Sequence, residues 1–190
     1  EAIESEHLNN NIISGQTELA ATPAGTDELL ISDAGTIKRI DTSFFFNTPA
    51  FRARLSSNQS IPNSTQTKMA LATEDWDTDS AFDSSTNYRF TVPSGKAGKY
   101  MFTASLTAEN IDDGEFFSFN LYLNGSQEQL TGQAKQFSPG SNETLRFTAT
   151  GYISLSVGDY IEAFVSHNEG GSINLRSAES SFGGYRIIGA

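Results

Sequence analysis

The sequence contains no cysteine in 190 residues. A disulfide scaffold and a thiolate-bound zinc are thereby excluded. Stability must come from a large core, from association between copies, or from both. Basic residues are scarce: 12 Lys and Arg stand against 23 Asp and Glu, for a net charge of −11 at pH 7. No basic cluster offsets that charge, so a phosphate backbone or an anionic lipid surface would be repelled, and no nucleic-acid partner is expected. No apolar run approaches the roughly 18 residues needed to span a bilayer, so membrane insertion is not expected either. There is no signal peptide, and the chain opens on Glu1 rather than Met, which points to a trimmed or partial product. Histidine occurs twice and tryptophan once.

Phenylalanine (14) and glycine (16) are plentiful. Aromatic and β-branched residues fall in short runs between Gly, Asn, Ser and Asp, the pattern of an all-β domain. The clearest run follows Pro93. Tyr100, Phe102, Ala104, Leu106 and Ala108 form one apolar row, and Met101, Thr103, Ser105 and Thr107 form the alternate row. That second row is small and uncharged, unlike an ordinary solvated strand face. Further runs predict strands at 51–56, 67–73, 88–92, 116–124, 144–150, 152–157, 160–167 and 184–188, separated by turn clusters such as "NGS", "SPGSN", "VGD" and "NEGGS". Eight or more short strands at this spacing indicate a sandwich or jelly roll. Several strands have two usable faces: Phe116 and Tyr122 oppose the row of Phe117, Phe119, Leu121 and Leu123. Such a domain buries part of its outer surface against copies of itself.

Residues 1–49 differ in character. They are polar with scattered Ile and Leu, and contain a hairpin whose arms, 29–32 and 36–40, flank the turn Asp33-Ala34-Gly35. A lone two-stranded hairpin is marginal in water. The segment reads as an arm or shaft, with a disordered tail as the alternative, and residues 50–190 as the head.

The order of landmarks in the head resembles the C1q-like domain, a member of the tumour-necrosis-factor-like jelly rolls. The matching stretches are "AFRARLS" (50–56), "FDSSTNYRFTVPSGKAGKYMFTA" (82–104), "LYLNGS" (121–126), "LSVGDYIEAFV" (155–165) and "SFGGYRIIG" (181–189). The resemblance implies a ten-strand jelly roll that forms a tight homotrimer, with first and last strands side by side. The sheet carrying 51–56, 99–108, 152–157 and 184–188 would face the three-fold axis. Met101, Thr103, Ser105, Arg52 and Arg54 are then the expected interface residues. The arm, at 13–41, resembles segments of bacteriophage tail-fibre and other virion fibre proteins, and a collagen Gly-X-Y stem is missing. The resemblance therefore implies a virion location, with the arm contacting other virion proteins and the head contacting a host-surface glycan or protein. The alternative is a decoration, neck or collar subunit with no receptor.

Candidate chemistry is sparse. Asp75, Asp77 and Asp79 begin like an EF-hand loop, but Ser80 and Thr86 occupy the positions that need Gly and Glu, leaving only a looser Ca²⁺ site. Trp76 between them is a candidate receptor contact, as are Asp112, Asp113 and Glu115 in a tight turn and His167 with Asn168 at a strand end. The bland readings are a solvated loop and a hairpin turn at Gly114. Ser166 and His167 assemble a catalytic triad only by chance pairing with some Asp, no Gly-x-Ser-x-Gly elbow is present, and the glycine-rich stretches lack the Gly-Lys-Ser/Thr of a phosphate loop. No enzyme and no cofactor is expected.

Overall fold

In the computed structural model, residues 15, 17–46, 48–128 and 132–187 are described. The chain divides into two compact units, Glu1–Phe46 and Asn47–Ala190.

The first unit holds one antiparallel hairpin, β1 (Glu28–Asp33) and β2 (Thr36–Asp41). Ala34 and Gly35 both have positive φ (49° and 84°), so the two-residue turn matches the right-handed twist of the flanking strands. Arg39 pairs with Glu28 and Lys38 with Asp33. Leu29, Leu30, Ile31 and Ile37 all stand exposed. The segment 1–14 lies outside the described residues.

The second unit is a sandwich of two seven-stranded sheets. One sheet contains β3 (Ala50–Arg54), β4 (Gln59–Ile61), β6 (Thr73–Asp77), β9 (Gly98–Ile111), β13 (Glu143–Leu155), β15 (Ile173–Leu175) and β16 (Ser181–Arg186). The other contains β5 (Thr67–Lys68), β7 (Phe82–Asp83), β8 (Arg89–Thr91), β10 (Phe116–Leu123), β11 (Ser126–Gln127), β12 (Gln133–Phe137) and β14 (Tyr160–His167). The count exceeds the ten expected because two- and three-residue ladders such as β5, β7 and β11 decorate the sheets. The first and last strands of the unit, β3 and β16, are neighbours, and β16 also pairs with β9.

The alternation in the sequence decides what lies between the sheets. Tyr100, Phe102, Ala104, Leu106 and Ala108 of β9 are all buried, as are Phe117, Phe119 and Leu121 of β10. Phe51 anchors the centre: its ring stacks on Phe82 (4.8 Å) and Phe90 (5.1 Å) and meets Phe182 edge-on (5.5 Å). Offset and edge-on contacts of this kind add to the gain from burial itself. The Tyr100 hydroxyl donates to the Lys96 carbonyl, and burial pushes its pKa up to about 12.

Two glycines set close approaches. A Cβ at Gly184 would lie 2.4 Å from the Phe102 ring and 2.8 Å from the Met101 carbonyl oxygen, so β16 fits against β9 only without a side chain there. A Cβ at Gly151 would lie 2.8 Å from the Gly132 backbone. Gly151 is thus a packing position inside one 13-residue strand, β13, where two strands broken at 151 were expected.

The stretches that carry the family resemblance are also tied to one another. Asn124 donates to Asp159 (2.8 Å) and accepts from the Tyr160 N–H (2.9 Å), joining "LYLNGS" to "LSVGDYIEAFV". The Asn124 amide, with the Ser156 N–H, holds the Asp159 carboxyl below its ordinary pKa. Asp83 closes the "FDSSTN" turn by accepting from the backbone of Thr86 and Ser85 and from the Asn87 amide, and these bonds lower its pKa strongly.

Candidate functional site

The outer face of the first sheet is where the sequence places its interface residues, and the register shows what they build. One row runs Trp76, Arg52, Gly183, Thr103, Thr150 across β6, β3, β16, β9 and β13. The next runs Tyr185, Met101, Tyr152. A third contains Arg54, Ser181, Ser105 and Thr148. Gly183 has no side chain to fill the middle of the first row, so Trp76, Met101 and Tyr185 wall a groove of about 190 Å³ around it. The groove is mainly apolar, no carboxylate lines it, and its aromatic walls are open to solvent: Trp76 is 47% exposed, Tyr185 38%, and the neighbouring Tyr152 61%. The Tyr185 hydroxyl lies 3.2 Å from the Met101 sulfur.

At the rim, Asp75 takes Arg54 at 2.8 Å and Arg52 at 3.5 Å. This changes the reading of 73–82. The stretch was expected to be a loop, but 73–77 is edge strand β6, paired with β3. Trp76 accordingly faces the groove beside Met101 and not an outward loop. Asp77 accepts from the Phe82 N–H (2.7 Å) and the Asp79 N–H (3.3 Å), while Asp79 accepts from the Thr78 hydroxyl (2.7 Å) and lies 3.7 Å from Lys96. The three aspartates are thus committed to separate partners, and no cluster of three metal-ligating side chains occurs among the described residues.

The acidic turn lies at one end of the sandwich. Asp112 accepts from the Asn142 N–H and donates its own N–H to Glu169 (2.8 and 2.7 Å), and Asn168 accepts from the Phe116 N–H (2.7 Å). These residues stitch three loops together. Asp113 is exposed, and Glu115 is half-buried with Oε2 finding no hydrogen-bond partner. Asp112, Asp113, Glu115 and Asn168 therefore share one end of the sandwich.

His167 does not join them as a surface contact. It is wholly buried, with Nε2 2.9 Å from the Ile61 carbonyl oxygen and Nδ1 accepting from the Glu169 N–H at 3.2 Å. The expectation that it meets a receptor is corrected by its position. Residues 161, 163, 165 and 167 of β14 share one parity, and all point into the core.

The outer face of the second sheet is different in kind. Tyr122 stacks on Phe164 (4.0 Å), the Arg89 guanidinium lies over Tyr160 (4.2 Å), and Lys68 pairs with the buried Glu162. Beside them is a polar cleft floored by Ser118, Asn120 and Ser166. The sequence singles out Phe116 and Tyr122 on this face but not the cleft. The signal available was the polar parity of Ser118 and Asn120 between core phenylalanines. The approach of Gln66, far away in sequence, carried none.

No family model matches the chain. Its fold is that of the C1q and tumour-necrosis-factor jelly rolls. The globular domain of zebrafish complement 1qA aligns with a TM-score of 0.53 at 16% identity, over 74% of this chain and 98% of that one. Eiger TNF from S. frugiperda aligns with a TM-score of 0.55 at 16% identity (74% and 93%), and murine APRIL with 0.53 at 12% (73% and 98%). In sequence, the chain is 30% identical over 109 residues to the phage-like element PBSX protein XkdV of Bacillus subtilis strain 168. The match covers 55% of this chain but only 15% of that protein's length. Among the described residues no helix is long and apolar enough to cross a membrane.

Proposed function

We propose that this chain is a non-enzymatic structural protein of a phage or phage-like particle. In this reading it assembles as a homotrimer through the outer face of the first sheet, and the head serves in attachment to the host surface. The observation that carries the reading is the solvent-open groove of Trp76, Met101 and Tyr185 on an acidic chain, lined by no carboxylate. A mainly apolar patch of this kind, free of carboxylates, marks a surface built to be covered. Two further facts support it: the C1q and tumour-necrosis-factor fold, whose members typically trimerise, and the relative named for a phage-like element.

The hairpin with Leu29, Leu30, Ile31 and Ile37 exposed favours a cemented arm, covered by its own copies or by other virion proteins. If cementing were the whole role, the protein would be a decoration, neck or collar subunit with no receptor. Light scattering after size exclusion tests the assembly: a mass near three times 20.6 kDa is expected, and a monodisperse monomer refutes it. Binding of labelled trimer to bacterial cells then separates attachment from cementing.

A further inference from the structure

The cleft on the outer face of the second sheet has a volume of about 340 Å³, within the range of small-ligand sites. Ser118 and Asn120 alternate with core-facing Phe117, Phe119 and Leu121, so they point outward; Ser166 lies opposite Ser118 on β14. Yet Ser118, Asn120 and Ser166 are only 7%, 6% and 8% exposed. Polar residues that face outward and are still this buried form the floor of a concavity, here rimmed by Gln66, Gln133 and Lys135.

The floor is pre-organised by a chain of hydrogen bonds. Gln127 donates to Asn120 (2.8 Å), Asn120 to Gln66 (3.3 Å) and Gln66 to the Ser166 hydroxyl (3.2 Å), which shares a proton contact with the Ser118 hydroxyl (2.8 Å). The bonds fix which way each amide points, so little ordering is left for a ligand to impose. Asn120 and Gln66 each use one amide hydrogen in this chain, which leaves each a second. No carboxylate lines the cleft on a chain that carries 23. Its one cation, Lys135, is held over the Phe116 ring (3.5 Å to the centroid) and near that of Phe137 (5.1 Å).

We propose that this cleft binds a unit of a neutral saccharide. A sugar hydroxyl both donates and accepts, and hydroxyls and amides of the same dual character line the floor and rim. Phe116, at the edge of the cleft, supplies apolar surface for the C–H face of the ring. A fixed anion is held best by several positive groups or a bidentate guanidinium, and the cleft lining has a single lysine, its ammonium seated on two phenyl rings, with no arginine and no second lysine. The proposal rests on the attachment reading above and gives it a ligand class. In a trimer the cleft is repeated three times, which raises weak single-site affinity by effective concentration.

The test uses the full chain, labelled, on a glycan array carrying neutral, sialylated and sulfated oligosaccharides. The strongest neutral binder is then titrated against variants. Gln66→Ala with Gln133→Ala removes two exposed rim amides without touching the core, and Asn120→Ala removes the central floor amide. Both should weaken binding at least tenfold with oligomeric mass and circular dichroism unchanged. Ser94→Ala, at an exposed turn residue that lines neither the cleft nor the groove, should stay within twofold of the unaltered chain. Absence of any neutral-glycan signal, binding confined to acidic glycans, or full affinity in the rim variant overturns the proposal. A cell-binding arm keeps the two readings apart. If unaltered chain and rim variant bind bacteria equally, attachment stands and the cleft is overturned. If the chain binds a neutral glycan through the cleft but no cell in a broad bacterial panel, the cleft stands and attachment falls.

Discussion

Placing a charge at Met101 tests the assembly face most directly. In a single chain the Met101 side chain is half-buried, beside the Tyr185 hydroxyl and opposite Tyr152 on β13. A lysine there can run its alkyl stem along the same surface and keep its ammonium in water. The cost to folding of one chain is then at the surface-substitution level, within about 0.5 kcal/mol. In a trimer closed by this face, three ammonium groups lose water together. With an effective penalty taken at about 2 kcal/mol per ion, the low end for a buried charge, Met101→Lys costs about 6 kcal/mol per trimer. At about 1.4 kcal/mol per factor of ten, that is more than four orders of magnitude in the association constant. Light scattering over a hundredfold concentration range should find the unaltered chain and Met101→Leu at three times 20.6 kDa, and Met101→Lys at one chain mass with an unchanged β-sheet circular dichroism spectrum. A Met101→Lys protein that elutes as a normal trimer would refute the reasoning, because no closed interface accommodates three such charges at that position.

The remaining predictions concern the fold. Phe51→Ala empties the centre of the aromatic cluster and should cost about 3–5 kcal/mol, lowering the melting temperature of the head by roughly 10 °C; a drop of under 3 °C by calorimetry would show that Phe51 is not its anchor. Asp83 and Asp159 both have folded-state pKa values below the ordinary value of 3.8, so the stability they contribute is full above that value and is lost as pH falls through their folded pKa values. Melting temperature should therefore decline below about pH 4, and Asp83→Asn should flatten that decline; an unchanged slope in the variant excludes Asp83 as a source. Removing residues 1–46 should leave the head's thermal transition in place, since Asn47–Ala190 is a compact unit by itself. A truncated chain that shows no cooperative melt would contradict that division.

What the sequence disclosed, and what it hid, follow from the range of the forces involved. The inward row of β9 was legible because a period of two is written locally, and every one of its five predicted core residues is buried. The edge strand β6 was hidden because "TEDWDTD" has no apolar alternation. It is held by pairing to β3, and its Asp75 is balanced by Arg52 and Arg54, partners about 20 residues away. Charges on an edge strand are an ordinary defence against stray pairing, so their presence argued less strongly for a loop than it seemed to. Gly151 looked like a turn because glycine usually punctuates; the backbone of Gly132, 19 residues before it, is what demands it. His167 is the opposite case, since its parity with Ile161, Ala163 and Val165 was on the page and marked it as core.

The two outer faces of the sandwich also bear on how so acidic a chain would form the proposed trimer. Three copies at −11 each carry −33, and like charges resist assembly wherever they approach within a Debye length, about 8 Å at physiological salt. Association is therefore favoured only through a surface where carboxylates are absent or already paired. The first sheet meets that condition: Thr103, Ser105, Thr148 and Thr150 flank Met101, Gly183 and Trp76, and the acidic residue at the rim, Asp75, is held by two arginines. The second sheet offers no comparable patch, since its outer face spends its aromatics on Tyr122–Phe164 stacking and on cation–π contacts with Arg89 and Lys135. Its cleft is likewise free of carboxylates but polar, suited to a ligand that hydrogen-bonds and not to a packed neighbour. The same sandwich thus separates by chemistry the face that can be covered by a copy from the face that can remain open to a ligand.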